Sequence, residues 1–85
     1  MTQNAHSQLL QAIEATCTAF AALDAALGME LPSHGRSCGL MVRGELGFLI
    51  RRLSYIASLA GTPDKAIASA KRSHNEALKA EADAA

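Results

Sequence analysis

Ser37 lies in Gly35-Arg36-Ser37-Cys38-Gly39, which spells G-x-S-x-G, the letter pattern of a nucleophile elbow. In that device a strand and a helix meet at a tight turn. The serine attacks an acyl carbon with help from an acid and a histidine that follow in the chain. The surroundings of Ser37 do not supply those parts. Leu27-Gly28-Met29-Glu30-Leu31 reads as a helix end and a loop, and His74 is the single downstream histidine. Three fixed letters in a Gly- and Ser-rich stretch carry little information. The residues predict a loose connection ending in a helix start, with Ser33 or Ser37 as the N-cap.

His34 and Cys38 are four residues apart and would share a face if helical. Both side-chain types bind zinc, which asks for further ligands. Cys17 is the other thiol. In an antiparallel helix pair it falls about eleven residues, or ~16 Å, before the end of its helix, whereas Cys38 falls at the loop end. A disulfide needs Cα atoms within ~7 Å, so neither a bridge nor a shared ion is expected. Cys17 reads as a small core hydrophobe. Cys38 reads as a free thiol or as a link across a dimer. His6, His34 and His74 are scattered and read as surface or half-buried residues. No catalytic residue, metal or cofactor is assigned, and the chain is not expected to be an enzyme.

The basic residues invite a different chemistry. The formal charge is zero, but its distribution is uneven. Residues 1–42 carry three acidic side chains against Arg36, while residues 43–72 carry six basic side chains against two acidic. Arg43, Gly47 and Arg51 share a strip, Arg52 projects about 100° from Arg51, and Lys65, Lys71 and Arg72 follow. Such a zone suits phosphates or an acidic protein surface. It also suits a solvated face with local pairs such as Glu45–Arg52 or Glu76–Arg72. A dedicated nucleic-acid binder usually shows a larger excess with interleaved aromatics, and no run of base-reading side chains follows the Gly61-Thr62-Pro63 turn.

The elements that must position these residues are helical. The chain has 85 residues, 18 of them Ala, only three aromatic and no Trp, which favours helix throughout. Leu9, Ile13, Thr16, Phe20, Leu23 and Leu27 step by 4, 3, 4, 3 and 4, one face of a helix over about 4–28. Leu10 and Cys17 widen that face, and Gly28 is a fitting stop. Residues 29–38 are expected as a connection around Pro32, with a short helical turn at Pro32-Ser33 allowed. A second helix is expected over about 39–61. Its apolar row is Val42, Leu46, Leu49, Leu53, Ile56 and Ala60, with Met41, Phe48 and Tyr55 as a second row. Arg43, Gly47, Arg51, Ser54 and Ser58 are left as a narrow polar strip. A helix this apolar needs contacts on more than one side.

Gly61 ends that helix, Thr62 suits an N-cap, Pro63 the first helical position and Asp64 the helix dipole. The third helix, about 63–82, carries a thin stripe of Ile67, Ala70, His74 and Leu78 (or Ala77). Gly44 and Gly47 each cost a helix about 1 kcal/mol relative to Ala, which points to close approach of another helix or to an irregular first turn.

The expected fold is all-α: an antiparallel helical hairpin plus a third helix, in one domain with ends frayed at about 1–4 and 80–85. A domain this small is marginal alone, so a homodimer with helix 2 near its centre is expected. The N-terminus MTQNAHSQ lacks the basic and apolar parts of a signal peptide, and no uncharged apolar run reaches the ~18 residues of a membrane span. A cytoplasmic protein without a membrane is therefore expected.

The expected function is that of a small regulator, adaptor or inhibitor binding itself and another protein. Its contacts are placed on Arg43, Gly44, Gly47, Arg51 and Arg52, with His34 and Cys38 as a second contact. The alternative is a nucleic-acid-associated regulator using Arg43, Arg51, Arg52, Lys65, Lys71 and Arg72.

Overall fold

The computed structural model describes residues 2–84, and of residues 2–4 the backbone only. Four helices follow one another: α1 (Thr2–Leu27), α2 (Ser33–Leu59), α3 (Asp64–Ala70) and α4 (Arg72–Ala84). Of the ends expected to fray, residues 1 and 85 lie outside the described residues, while α1 and α4 include the backbone of 2–4 and 80–84.

The α1 stripe packs as its spacing predicts. Ile13, Cys17, Phe20 and Leu27 are buried, and Leu9 and Leu10 pack against the same core. Thr16 is tolerated on that face because its hydroxyl donates to the Ala12 carbonyl oxygen at 2.7 Å. Residues Ala5–Leu27 are long and apolar enough to cross a membrane by length and composition. Here the same residues supply one wall of the core.

The helix boundary of the second element differs from expectation. The connection is short, and α2 begins at Ser33, so His34, Gly35, Ser37, Cys38 and Gly39 are helical. Pro32 is the N-cap, with extended backbone at φ −56° and ψ 147°, and neither Ser33 nor Ser37 caps the helix with its side chain. Arg36 faces back toward α1. Its Nη1 donates to the Leu27 carbonyl at 2.7 Å and its Nη2 to the Met29 carbonyl at 2.9 Å. A cation there satisfies carbonyls that a helix C-terminus leaves open and complements its dipole. Gly39 is a point of close approach, since a Cβ there would lie 2.7 Å from Leu27 Cδ2. Leu27 against Gly39, Asp24 against Arg43 and Phe20 against Gly47 run in opposite directions along the two helices, so the pair is antiparallel.

The turn after α2 is a Schellman motif. The Thr62 N–H donates to the Ala57 carbonyl at 2.9 Å and the Gly61 N–H to the Ser58 carbonyl at 3.0 Å, with Gly61 at φ +87°. Thr62 does not cap α3; Pro63 does, without a side-chain bond. The buried Thr62 hydroxyl lies 2.6 Å from His6 Nδ1 and ties the start of α1 to this corner. The expected third helix is two helices, broken at Lys71 (φ −93°, ψ 2°). It folds back onto the hairpin rather than projecting: Ile67, Ala70 and His74 are buried, while Leu78 stays exposed.

Candidate functional site

The orientation of α2 decides the surface of this protein. Ile50 and Ala57 are its buried residues, with Leu46 and Leu53 packed beside them. Gly39, Arg43, Gly47 and Ser54 are half-buried on the same side. Most of the strip that looked polar and outward therefore faces the other helices. Gly47 lies against Phe20, and a Cβ there would meet Phe20 Cε2 at an ordinary 3.8 Å, so this fit does not depend on glycine. Ser54 permits the inward orientation by donating to the Ile50 carbonyl at 2.7 Å.

Arg43 permits it through partners. Its Nε donates to Asp24 Oδ1 at 2.6 Å and its Nη2 to Glu81 Oε1, and its guanidinium carbon lies 4.7 Å from the Phe20 ring centroid. The Phe20 ring meets His74 edge-on, with centroids 4.5 Å apart. This cluster links α1, α2 and α4. His74 Nδ1 is buried there without a hydrogen-bond partner. Burial, followed by the charges of Lys71, Arg43 and Arg51, pushes the His74 pKa down. Burial likewise pushes the Cys17 thiol up, which keeps it in its neutral form.

The consequence lies on the opposite side. Among the described residues, eight of the ten exposed large hydrophobic residues belong to α2. Met41, Phe48 and Tyr55 form one row at heptad spacing, and Val42, Leu49 and Ile56 form another. Leu59 extends the face, and Leu40 lies beside it. Between the rows stand Glu45 and Arg52, both exposed, and neither makes an ion pair within the described residues. The Arg52 guanidinium rests 4.5 Å from the Phe48 ring centroid. Met41, Gly44, Glu45, Phe48, Leu49 and Arg52 line a depression on this face. Gly44 leaves it open, since a Cβ at that position would touch nothing within 4 Å. Exposed apolar patches of this kind mark protein, membrane or ligand contacts in some proteins and aggregation liabilities in others.

The expected contact residues separate accordingly. Gly44 and Arg52 belong to the outer face. Arg43 and Gly47 face the other helices, and Arg51 lines a cleft with His74 and Leu78. His34 and Cys38 are exposed on the first turns of α2, with Sγ and Nε2 3.8 Å apart. No group of three or more potential ligands converges among the described residues. Ser37 is exposed on a helix, and the described residues contain no strand.

The basic zone is divided. Arg43 is paired, Lys71 is half-buried, and Lys65 and Arg72 line a depression on α3 and α4 with Asn75, Glu76 and Lys79. The suggested local pairs Glu45–Arg52 and Glu76–Arg72 are not formed; Asp24 and Glu81 are the acidic partners present. Nothing in the sequence singled out Asp24, Phe20, His74 and Glu81 as the cluster around Arg43, because they stand on two other helices and up to 38 residues away.

No family model, no curated protein and no solved structure matches this chain.

Proposed function

We propose that this chain is a non-enzymatic helical interaction protein, a small regulator, adaptor or inhibitor, that works by burying the outer face of α2 against a helical protein surface. The observation that carries this reading is the pair of exposed apolar rows at heptad spacing, Met41-Phe48-Tyr55 and Val42-Leu49-Ile56. Two adjacent rows of that spacing fit the ridges of a second helix. Fully burying a large apolar side chain contributes ~1.5–3 kcal/mol relative to full exposure, and these six, 45–70% exposed, each gain part of that against the cost of association.

The test is affinity capture from the native lysate with wild type and with a Phe48→Asp/Leu49→Asp chain. Both positions are exposed, so the variant is expected to keep its helical circular dichroism and to lose the captured protein. Equal capture by the two chains sinks the reading.

A second reading rests on Lys65, Arg72 and Lys79, which line one depression on α3 and α4. Phosphate contacts there predict a gel shift with nucleic acid that weakens steeply with salt. No shift at low salt removes it.

A further inference from the structure

We propose that the outer face of α2 is built for a second copy of this chain, packed antiparallel across a two-fold axis that passes between Phe48 and Leu49. This inference rests on the reading of that face as an interaction surface and adds its occupant and its register. Charge placement selects this occupant. Glu45 and Arg52 are the charged residues within the apolar rows, one heptad apart, exposed, and without ion pairs in the chain among the described residues.

A two-fold axis at that point sets Glu45 of each copy level with Arg52 of the other, so both charges are matched twice in one symmetric contact. The same register sets Met41 level with Ile56, Val42 with Tyr55 and Cys38 with Leu59, so every other level is apolar or a thiol. A parallel pairing in register instead sets Glu45 on Glu45 and Arg52 on Arg52. The contact runs from Cys38 to Leu59, about 32 Å at ~1.5 Å per residue.

The depression around Gly44 lies at the same levels. It is lined by Met41, Gly44, Glu45, Phe48, Leu49 and Arg52, and its Glu45 wall stands level with Arg52 of the second copy. An arginine there meets the Glu45 carboxylate, beside a Phe48 ring that already carries the Arg52 of its own chain. The register also separates the two copies of Cys38 by about 30 Å along the axis, far beyond the ~7 Å that a disulfide spans. The dimer therefore holds without a disulfide.

Solution mass by light scattering over a range of concentrations tests this. The samples are wild type with and without reductant, Glu45→Arg, Arg52→Glu, an equimolar mixture of those two, and the doubly substituted chain. Wild type is expected to dimerise equally with reductant present. Each single variant is expected to raise the dissociation constant by about tenfold or more, because like charges then meet on both sides of the axis. The mixture and the doubly substituted chain are expected to recover wild-type association.

Single variants that associate as wild type, or a dimer dissolved by reductant, overturn the proposal. A mixture that binds more tightly than wild type marks a parallel pairing and overturns it too. A wild-type monomer at every concentration also overturns it; if Phe48→Asp/Leu49→Asp still loses a captured partner, the interaction surface stands without the dimer.

Discussion

Arg43 shows how one side chain can reverse the apparent polarity of a helix face. By type it belongs in water. In the fold it sits half-buried over Phe20, held by Asp24 on one side and Glu81 on the other. Arg carries a long apolar stem and a flat cation that tolerates an aromatic neighbour, so it can line a core margin where Lys would not. His74 is the matching residue on α4. The depressed pKa of its buried imidazole makes stability depend on pH. The unfolded chain titrates near the ordinary value of 6.5 and binds the proton more readily than the fold. The contribution of neutral His74 is therefore complete above about 6.5 and is lost as the pH falls below that value toward the folded pKa. His74→Leu is expected to flatten this dependence and to remove an unpartnered nitrogen. Urea midpoints at neutral and mildly acidic pH check it: an unchanged drop on acidification in His74→Leu removes His74 as its source.

Among the elements, α2 is defined by what stands at its two ends. At the start, Pro32 is the last extended residue, and the Ser33–Cys38 segment continues into helix despite Gly35 and Gly39. Each glycine costs roughly 1 kcal/mol of helix propensity. The arrangement holds because the helix carries Arg36 onto the α1 carbonyls and lets Gly39 admit Leu27. G-x-S-x-G in this chain is thus a hairpin corner in which Arg36 and Gly39 have the structural tasks. At the far end, Gly61 at φ +87° closes the Schellman motif. Gly61→Ala forces a Cβ into the left-handed region and is expected to cost about 1 kcal/mol. A denaturant midpoint equal to wild type would show that the turn relaxes without it.

For the whole molecule, shape carries the argument. The Cα extents are 46 × 25 × 15 Å and the radius of gyration is 14.3 Å. A compact chain of this length has about 12 Å. The helices form a thin layer, and the layer covers α2 on one side only. The core is correspondingly small, and folding is expected to be linked to association. Thermal midpoints measured at protein concentrations about a hundredfold apart check this, since a dimer that binds only the folded chain raises the midpoint with concentration. A midpoint independent of concentration argues for a monomer that stands on its small core.

Part of this was legible in the residues. The α1 face follows from its spacing of Leu9, Ile13, Phe20 and Leu27, and the α2–α3 turn from Gly61-Thr62-Pro63. The all-helical class and the thin Ile67-Ala70-His74 stripe are readable in the same way, because helical periodicity is local. The orientation of α2 was not legible. Its apolar residues occupy two sides, and periodicity alone does not say which side meets α1. Tertiary contacts decided it: Gly39 allows close packing, Ser54 satisfies its own hydroxyl, and Asp24 and Glu81 neutralise Arg43. The sequence determined that α2 has more apolar surface than one neighbour can cover. The tertiary structure decided that Met41, Phe48, Leu49, Tyr55 and Ile56 are the residues left in water, since only the partners brought from distant helices let the more polar side turn inward.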